Sequence, residues 1–216
     1  MNKFKAFQVN NVPHFHTSII DQEMPLLSAN EVLVKVAYSD VNYKDALASS
    51  ESGGVIRSYP MTPGIDLSGT VVESRDERFK TDDSVLLTGY GLGVTQPGGY
   101  SQYQKVSGDW LIPLPKTLSL RQAMVLGTAG FTALLCVNAL ITKGMKTSDR
   151  IVVTGASGGV GSTAVAILKK LGFTSIIALS RKKESVEWLK KLGANEVLSP
   201  NEFLPEKTKP LGKQQI

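Results

Sequence analysis

A glycine-rich loop between an apolar run and a helical pattern constrains the fold of this 216-residue chain most strongly. Residues 151–154 are rich in β-branched side chains and predict a buried strand that leads into the loop. Glycines let a backbone approach a pyrophosphate, and a helix N-terminus offers N–H groups and a positive dipole end. A tight turn without a ligand is the alternative. The phosphate-binding residues predicted here are Gly155, Ser157, Gly158, Gly159, Val160 and Gly161.

Strands and helices alternate after this loop. The pattern predicts a helix that ends at Gly172, a strand at 175–179, a helix at 183–192 and a strand at 196–198. Such alternation is typical of one half of a doubly wound nucleotide-binding sheet. The first helix is expected to bury Val160, Ala164, Ile167, Leu168 and Leu171, and the second Val186, Leu189 and Leu192.

Basic residues follow the second of these strands, where a dinucleotide site recognises the adenosine ribose. An acidic residue there binds a free 2′-hydroxyl, whereas an arginine accommodates a 2′-phosphate. This chain has Ser180, Arg181 and Lys182 at that point and no acid. Arginine binds phosphate through two parallel hydrogen bonds, so the sequence favours NADPH over NADH. Three surface residues at a helix start are the alternative.

The first 118 residues have a different sequence pattern, in which short predicted strands are separated by glycine and proline. They predict a small sandwich or barrel. Asn42 is a good N-cap and predicts a short helix after it, and Ser119 with Gln122 has the spacing of a capping box. A longer helix is expected over residues 128–141. The predicted strands cover residues 4–9, 32–37, 69–73, 85–88 and 100–106.

The glycine loop also fits the short-chain dehydrogenases, but two features argue against that class. Those enzymes carry the loop near the N-terminus, whereas here it follows residue 150. They also use a tyrosine with a lysine four positions later, and no tyrosine in this sequence has one. The sequence therefore argues against membership of the short-chain dehydrogenases.

Composition excludes several other classes. Cys136 is the only cysteine and His14 and His16 are the only histidines, so a thiolate zinc site is not expected. The net charge of +5 suits an anionic cofactor or a solvated surface equally well. No basic helix or aromatic sheet motif indicates nucleic-acid binding. We find no run of about 20 apolar residues and no signal peptide, so we expect a cytoplasmic protein without a membrane partner.

Several blocks in order resemble the medium-chain dehydrogenase/reductase superfamily. They are Asn-Tyr-Lys-Asp at 42–45, Pro-Gly-Ile-Asp-Leu-Ser-Gly at 63–69, Gly-Asp-Trp-Leu at 108–111, Gly-Thr-Ala-Gly-Phe-Thr-Ala at 127–133 and the glycine loop at 154–161. Within that superfamily the sequence is most similar to the YhdH/YhfP-type quinone oxidoreductases, a group that includes the acryloyl-CoA reductases. The resemblance covers essentially the whole chain.

The resemblance implies a fold and an activity. Residues 1–118 would form a β-rich GroES-like catalytic domain, and residues 119–216 part of a Rossmann domain that binds NADPH. The implied activity is zinc-free, NADPH-dependent reduction of an activated C=C bond or a quinone, with a small-molecule acceptor such as an enoyl-CoA. The regions that hold zinc in other relatives contain Asp40 and Asp66 but no histidine or cysteine. Full-length relatives are expected to be homodimers.

Site residues also follow from the resemblance. Asn42 and Tyr43 match residues on the cofactor side of the catalytic domain, and Tyr43 and Thr128 are expected near the nicotinamide. A packing role for Tyr43 and an N-cap role for Thr128 are the alternatives. Lys44 and Asp45 are read as a surface pair. Asp66 is expected to order the turn at residues 63–64, and Cys136 is expected to be buried.

The second half of the doubly wound sheet has no counterpart in this sequence. Few residues follow the glycine loop, and residues 205–216 are polar. The sequence is therefore expected to be C-terminally truncated relative to the family. An inactive fragment or a nonenzymatic NADPH-binding module is the alternative function.

Overall fold

The computed structural model describes residues 3–203, which form two compact units that meet in sequence between Thr128 and Ala129. The first unit consists mainly of antiparallel strands, and the second contains a parallel sheet with helices. The division falls inside the long helix that begins just after residue 119, where the sequence pattern changes from short strands to longer helices. The polar segment at 205–216 lies outside the described residues.

From residue 3 onwards, the first unit contains seven strands. They are β1 (Lys3–Asn11), β2 (Phe15–Glu23), β3 (Glu31–Tyr38), β4 (Asp66–Ser74), β5 (Ser84–Thr88), β6 (Tyr103–Ser107) and β7 (Ile112–Pro113). Five of them make an antiparallel sheet in the order β6-β3-β4-β5-β7, and β1 pairs with β2 in a hairpin. The predicted short helix is present as α1 (Tyr43–Ala48), directly after Asn42.

The core of the first unit lies against the central strands β3, β4 and β5. Val34, Leu67, Val71 and Leu87 are completely buried there. Leu33 is also buried, although strict alternation would put it on the solvent face. Both faces of β3 are therefore covered at this point, which is why the one-sided pattern expected from the sequence fails here.

The second unit follows the predicted alternation. Its elements are the part of α2 (Leu120–Thr142) after Thr128, β8 (Arg150–Val153), α3 (Gly159–Lys170), β9 (Ser175–Leu179), α4 (Val186–Leu192), β10 (Glu196–Leu198) and α5 (Pro200–Phe203). The three strands among residues 129–203 are parallel, in the order β10-β9-β8. This is the order of the first three strands of a doubly wound sheet, so the predicted partial Rossmann fold is confirmed.

Strand β8 is one edge of this parallel sheet among the described residues, and β10 is the other. Ile151, Val152 and Val153 are only half-buried, whereas Ile176 and Ile177 on β9 are almost fully buried. A groove of about 470 Å³ runs beside β8, between the glycine loop and α2. Apolar side chains at the edge of a sheet therefore face open space.

Helix α3 is rotated relative to the prediction. Its buried residues are Gly161, Val165 and Leu168, while Val160 and Leu171 are exposed. Of the predicted face, only Leu168 is fully buried. Val160 and Ala164 line the groove beside β8, and this open groove explains why the predicted apolar face is not covered.

Helix α2 is broken by Gly127, whose φ of 50° and ψ of −160° are not helical. No charged residue lies between Arg121 and Lys143. By length and by its mean hydropathy of 1.9, α2 meets the criteria for a membrane-crossing helix, contrary to the expectation from the sequence. Those criteria alone are weak evidence of a membrane. Phe131, Leu134 and Leu135 are about half exposed on it.

Strand β2, the two-residue strand β7 and helix α5 have no counterpart in the prediction. Strand β2 pairs with β1 along its whole length, from Lys3 opposite Glu23 to Asn11 opposite Phe15. The exposed positions of β2 are mostly polar, and the strand lacks the alternation of apolar and polar residues that marks a half-buried strand. The four residues of α5 are also new, and Phe203 from this helix packs against Ile177 and Leu179.

Candidate active site

The glycine loop has the geometry of a turn that leaves space for a ligand. Gly155 has a φ of 58°, a left-handed conformation that favours glycine. A Cβ on Gly161 would lie 2.5 Å from the Gly155 carbonyl oxygen, so the helix can approach the loop only without a side chain there. The loop is held to β9 because the Ala156 N–H donates to the Leu179 carbonyl at 3.0 Å. Gly158 is the N-cap of α3 and directs the first free N–H groups of that helix towards the turn.

Ser180, at the end of β9, is joined to this loop. Its hydroxyl oxygen lies 3.0 Å from that of Ser157 and 2.9 Å from that of Ser185. It also accepts a hydrogen bond from the Lys182 N–H at 3.1 Å. Ser180 is buried, whereas Arg181 and Lys182 are exposed. The structure thus brings the predicted phosphate loop and the predicted 2′-phosphate residues together.

In the first unit, Asp66 joins two other predicted residues. It is completely buried at the start of β4. Its Oδ2 accepts hydrogen bonds from the side-chain amide of Asn42 at 3.1 Å and from the hydroxyl of Thr128 at 3.0 Å. Asn42 precedes α1, and Thr128 is the first residue after the break in α2. The two are therefore held at one carboxylate although they are distant in sequence.

Tyr43 occupies the first position of α1 and is 80% exposed. This exposure argues against the alternative in which Tyr43 packs in the core of the first unit. A contact between Tyr43 and a cofactor stays a prediction.

Asp45 differs from its expected role as part of a surface pair with Lys44. It is 1% exposed. Its carboxylate accepts hydrogen bonds from the N–H groups of Gly64 and Ile65 at 3.1 and 3.0 Å, and from that of Asn42 at 2.9 Å. Burial raises the pKa of this carboxyl, and the hydrogen bonds oppose that effect. Asp45, rather than Asp66, thus orders the turn at residues 63–64. The spacing of Asn42 and Asp45, like that of a capping box, was the available signal.

Tyr100 is a further site residue that the sequence did not indicate, and it contacts Asp40, which the sequence placed only in a region without zinc ligands. The Tyr100 phenol donates a hydrogen bond to the Asp40 carbonyl at 3.1 Å. Burial raises the pKa of Tyr100, and the carboxylates of Asp45, Asp66 and Asp40 raise it further. The pKa of Asp40 is also raised, mainly by burial. Tyr100 therefore stays protonated at neutral pH and acts here as a hydrogen-bond donor.

Cys136 is exposed, so its predicted burial is wrong. In the part of α2 after Thr128, Ala133 and Val137 are buried, and Cys136 lies beside them at the groove along β8. Within residues 3–203, no three His, Cys, Asp or Glu side chains lie close enough together to hold a metal ion. Zinc independence stays a prediction.

Comparison with known proteins supports this description. Residues 28–116 match the family model of the alcohol dehydrogenase GroES-like domain, which confirms the predicted fold of the first unit. The chain is 51% identical over 189 residues to the probable acrylyl-CoA reductase AcuI of Escherichia coli, covering 87% of this chain and 57% of that protein. It is 49% identical over 190 residues to the putative quinone oxidoreductase YhfP of Bacillus subtilis, covering 88% and 57%.

The chain belongs to the YhdH/YhfP family of medium-chain oxidoreductases. Solved structures agree. The yhdH oxidoreductase of Salmonella enterica, in complex with NADP, has a TM-score of 0.89 and 48% identity, over 97% of this chain and 64% of that one. Bacillus subtilis yhfP, with NAD bound, has a TM-score of 0.92 and 44% identity, over 100% and 66%. The chain spans about 57% of the length of the curated family members that it matches.

Proposed function

We propose that this chain provides the NADPH-binding and catalytic parts of a reductase acting on an activated C=C bond, such as that of an enoyl-CoA, or on a quinone. The observation that carries this proposal is the contact between Ser157 and Ser180, which joins the glycine loop to the segment with Arg181 and Lys182. The names of the relatives, acrylyl-CoA reductase and quinone oxidoreductase, support the acceptor class.

The residues present fit a dinucleotide with a 2′-phosphate. The left-handed Gly155 and the close approach at Gly161 mark points of the turn that have no side chain, where a pyrophosphate could approach the backbone. The N–H groups at the start of α3 would bind the pyrophosphate. Arg181 and Lys182 are exposed cations at the end of β9, and the Ser157 hydroxyl is adjacent, so these three would bind the 2′-phosphate.

The chemistry of the reaction would come from the cofactor. When bound, NADPH supplies a hydride to the electron-poor carbon of the acceptor. Asn42 and Thr128, both held by Asp66, would bind and orient the nicotinamide end. The exposed Tyr43 hydroxyl would bind either the cofactor or the acceptor. The half-buried Tyr100 keeps its proton in a hydrogen bond to the Asp40 carbonyl, so we assign it no proton transfer.

Two measurements on the 216-residue chain test the proposal. Titration with NADPH, followed by the fluorescence of the reduced nicotinamide, should give saturable binding. Loss of NADPH absorbance should then depend on added acryloyl-CoA or on a quinone. If NADPH does not bind, the proposed function is wrong.

A nonenzymatic NADPH-binding module is the second candidate. The edge strand β8, whose apolar side chains are only half-buried among the described residues, favours it. Saturable NADPH binding without turnover of either acceptor would support this candidate over the reductase.

A further inference from the structure

Two buried serines close the loop between β9 and α4. Ser180 is 8% exposed and Ser185 is 7% exposed, and their hydroxyl oxygens lie 2.9 Å apart. Arg181 and Lys182, which lie between them in sequence, are both exposed. The two cations of the predicted 2′-phosphate site therefore belong to a short loop whose ends are joined by a buried contact.

The backbone of Lys182 is bound by both serines. Its N–H donates to the Ser180 hydroxyl oxygen at 3.1 Å. Its carbonyl accepts from the Ser185 hydroxyl at 2.6 Å and from the Ser185 N–H at 3.1 Å. The hydrogen-bonding groups on both sides of the Lys182 Cα thus have partners inside the same loop. The place from which the lysine side chain starts therefore depends on the two serines.

The Ser180 hydroxyl has no remaining capacity for a ligand. A serine hydroxyl has one hydrogen and two lone pairs, so it takes part in at most three hydrogen bonds. The Ser180 oxygen already has three partners. They are the hydroxyls of Ser157 and Ser185, at 3.0 and 2.9 Å, and the Lys182 N–H at 3.1 Å. Any effect of Ser180 on phosphate binding must therefore act through its neighbours.

We propose that Ser180 and Ser185 are positioning residues that set the preference for a 2′-phosphate through Lys182, without touching the nucleotide. A segment that is ordered before binding loses less conformational freedom when the ligand binds. Lys182 offers this advantage only to a nucleotide that has a 2′-phosphate. The inference rests on the proposed function, and it adds the residues that control the cofactor preference.

The test measures the affinities for NADPH and NADH by calorimetry and compares their ratio. The wild-type chain should bind NADPH at least about tenfold more tightly than NADH. Ser185→Ala removes the hydroxyl from the Lys182 carbonyl but keeps every side chain proposed to bind the phosphate. We expect the ratio to fall by about threefold or more through weaker NADPH binding, while NADH binding is kept. Ser180→Ala should act in the same direction.

A double variant tests whether the effect passes through Lys182. Lys182→Ala removes the cation and leaves the backbone groups that the serines bind, so it should lower the ratio by itself. Adding Ser185→Ala to Lys182→Ala should then lower the ratio no further. An equal effect of Ser185→Ala in both backgrounds overturns the inference, because Ser185 would then act by another route.

Asn195→Ala is the matched control for loss of stability. The Asn195 side-chain oxygen accepts from the Ile176 N–H at 2.8 Å, near the end of β9 opposite to Ser180. The variant removes a hydrogen bond between a side chain and the backbone in the same unit. It should lower the melting temperature and leave the ratio of affinities unchanged.

The outcomes separate this inference from the proposed function. Failure of the wild-type chain to bind either nucleotide overturns both. Binding of both with an unchanged ratio in Ser185→Ala and Ser180→Ala overturns the inference alone. Equal weakening of NADPH and NADH in these variants also overturns it, because a merely structural role of the serines would have that effect. Equal affinities of the wild-type chain overturn the inference and leave a protein that uses either cofactor.

Discussion

The hydroxyl oxygens of Ser157, in the glycine loop, and Ser180, at the end of β9, lie 3.0 Å apart. The contact joins two segments that are 23 positions apart in sequence. It places the turn predicted to bind the pyrophosphate beside the residues predicted to bind the 2′-phosphate. The preference for one dinucleotide over another can therefore be tested at these positions.

Arg181→Ala should weaken NADPH binding while NADH binding stays nearly unchanged. Loss of a charge-assisted contact to the 2′-phosphate should cost about 1.5–3 kcal/mol. Calorimetric titration of the wild-type chain and the variant with both cofactors gives the values. Lys190→Ala removes a cation that pairs with Glu187 on α4, and is the control for loss of charge alone. Equal affinities of the wild-type chain for NADPH and NADH would contradict the prediction.

Gly161→Ala should damage the second unit, because its Cβ would lie 2.5 Å from the Gly155 carbonyl and 2.7 Å from the Ala156 Cα. The backbone has to shift, at an expected cost of about 1–3 kcal/mol in unfolding free energy. A methyl group on Gly158 would have its nearest neighbour at 3.3 Å, so Gly158→Ala should cost much less. Urea denaturation of the two variants compares these costs, and equal losses would show that the close approach is unimportant.

Asp76 should make the first unit sensitive to acid. Hydrogen bonds from the Arg78 side chain, and then from its backbone, lower the pKa of Asp76 to about 2. The folded-state pKa lies below the unfolded value, so this contribution to stability is present above about pH 4 and is lost as the pH falls towards 2. Melting temperatures across this range should fall less steeply in Asp76→Asn. If the melting temperatures of the wild-type chain and Asp76→Asn fell equally with pH, Asp76 would not be the source of the acid sensitivity.

Metal removal should leave the chain unchanged. Among residues 3–203, no three His, Cys, Asp or Glu side chains lie close enough together to hold an ion, and the carboxylates of Asp45 and Asp66 are occupied by several N–H donors. We expect elemental analysis of the purified protein to find no stoichiometric zinc, and a chelator to leave NADPH binding unaltered. Zinc at one ion per chain, lost together with binding, would contradict this.

The apolar surface of α2 and the edge strand β8 should make the chain self-associate. Leu135 is 54% exposed, and burial of such a surface is favourable by about 25 cal/mol per Å². Leu135→Glu should therefore reduce association in sedimentation experiments without lowering the melting temperature. Ala133→Glu, at a completely buried position of the same helix, should instead prevent folding. A wild-type chain that stays monomeric at high concentration would contradict the prediction.

Local patterns account for most of the fold that was predicted correctly. The glycine loop, β9 and the order of strands and helices after residue 150 depend on neighbouring residues, and the structure agrees with them. Strand β2 was missed because its pairing with β1, rather than an apolar pattern, stabilises it. The buried face of α3 was misjudged because the sequence does not show that the groove beside β8 is open.

The contacts within the site were harder to predict from the sequence than the fold. Asn42, Tyr43 and Thr128 came from resemblance to a family, and the contact of Thr128 with Asp66 spans 62 positions. Asp45 looked like a surface residue of a short helix, yet it reaches the backbone of Gly64 and Ile65 from 19 and 20 positions away. Spacing predicts a cap on its own helix but cannot indicate which distant N–H groups a carboxylate will meet.

The contacts of Asp45 have a consequence for how this sequence can diverge. Its carboxylate binds main-chain N–H groups, which every residue except proline possesses, so the contact makes no demand on the side chain at position 65. At this contact, selection therefore acts on Asp45 and leaves the side chain at position 65 unconstrained by it. In a deep mutational scan for folding, Asp45 should tolerate almost no replacement, while apolar exchanges at Ile65 should survive.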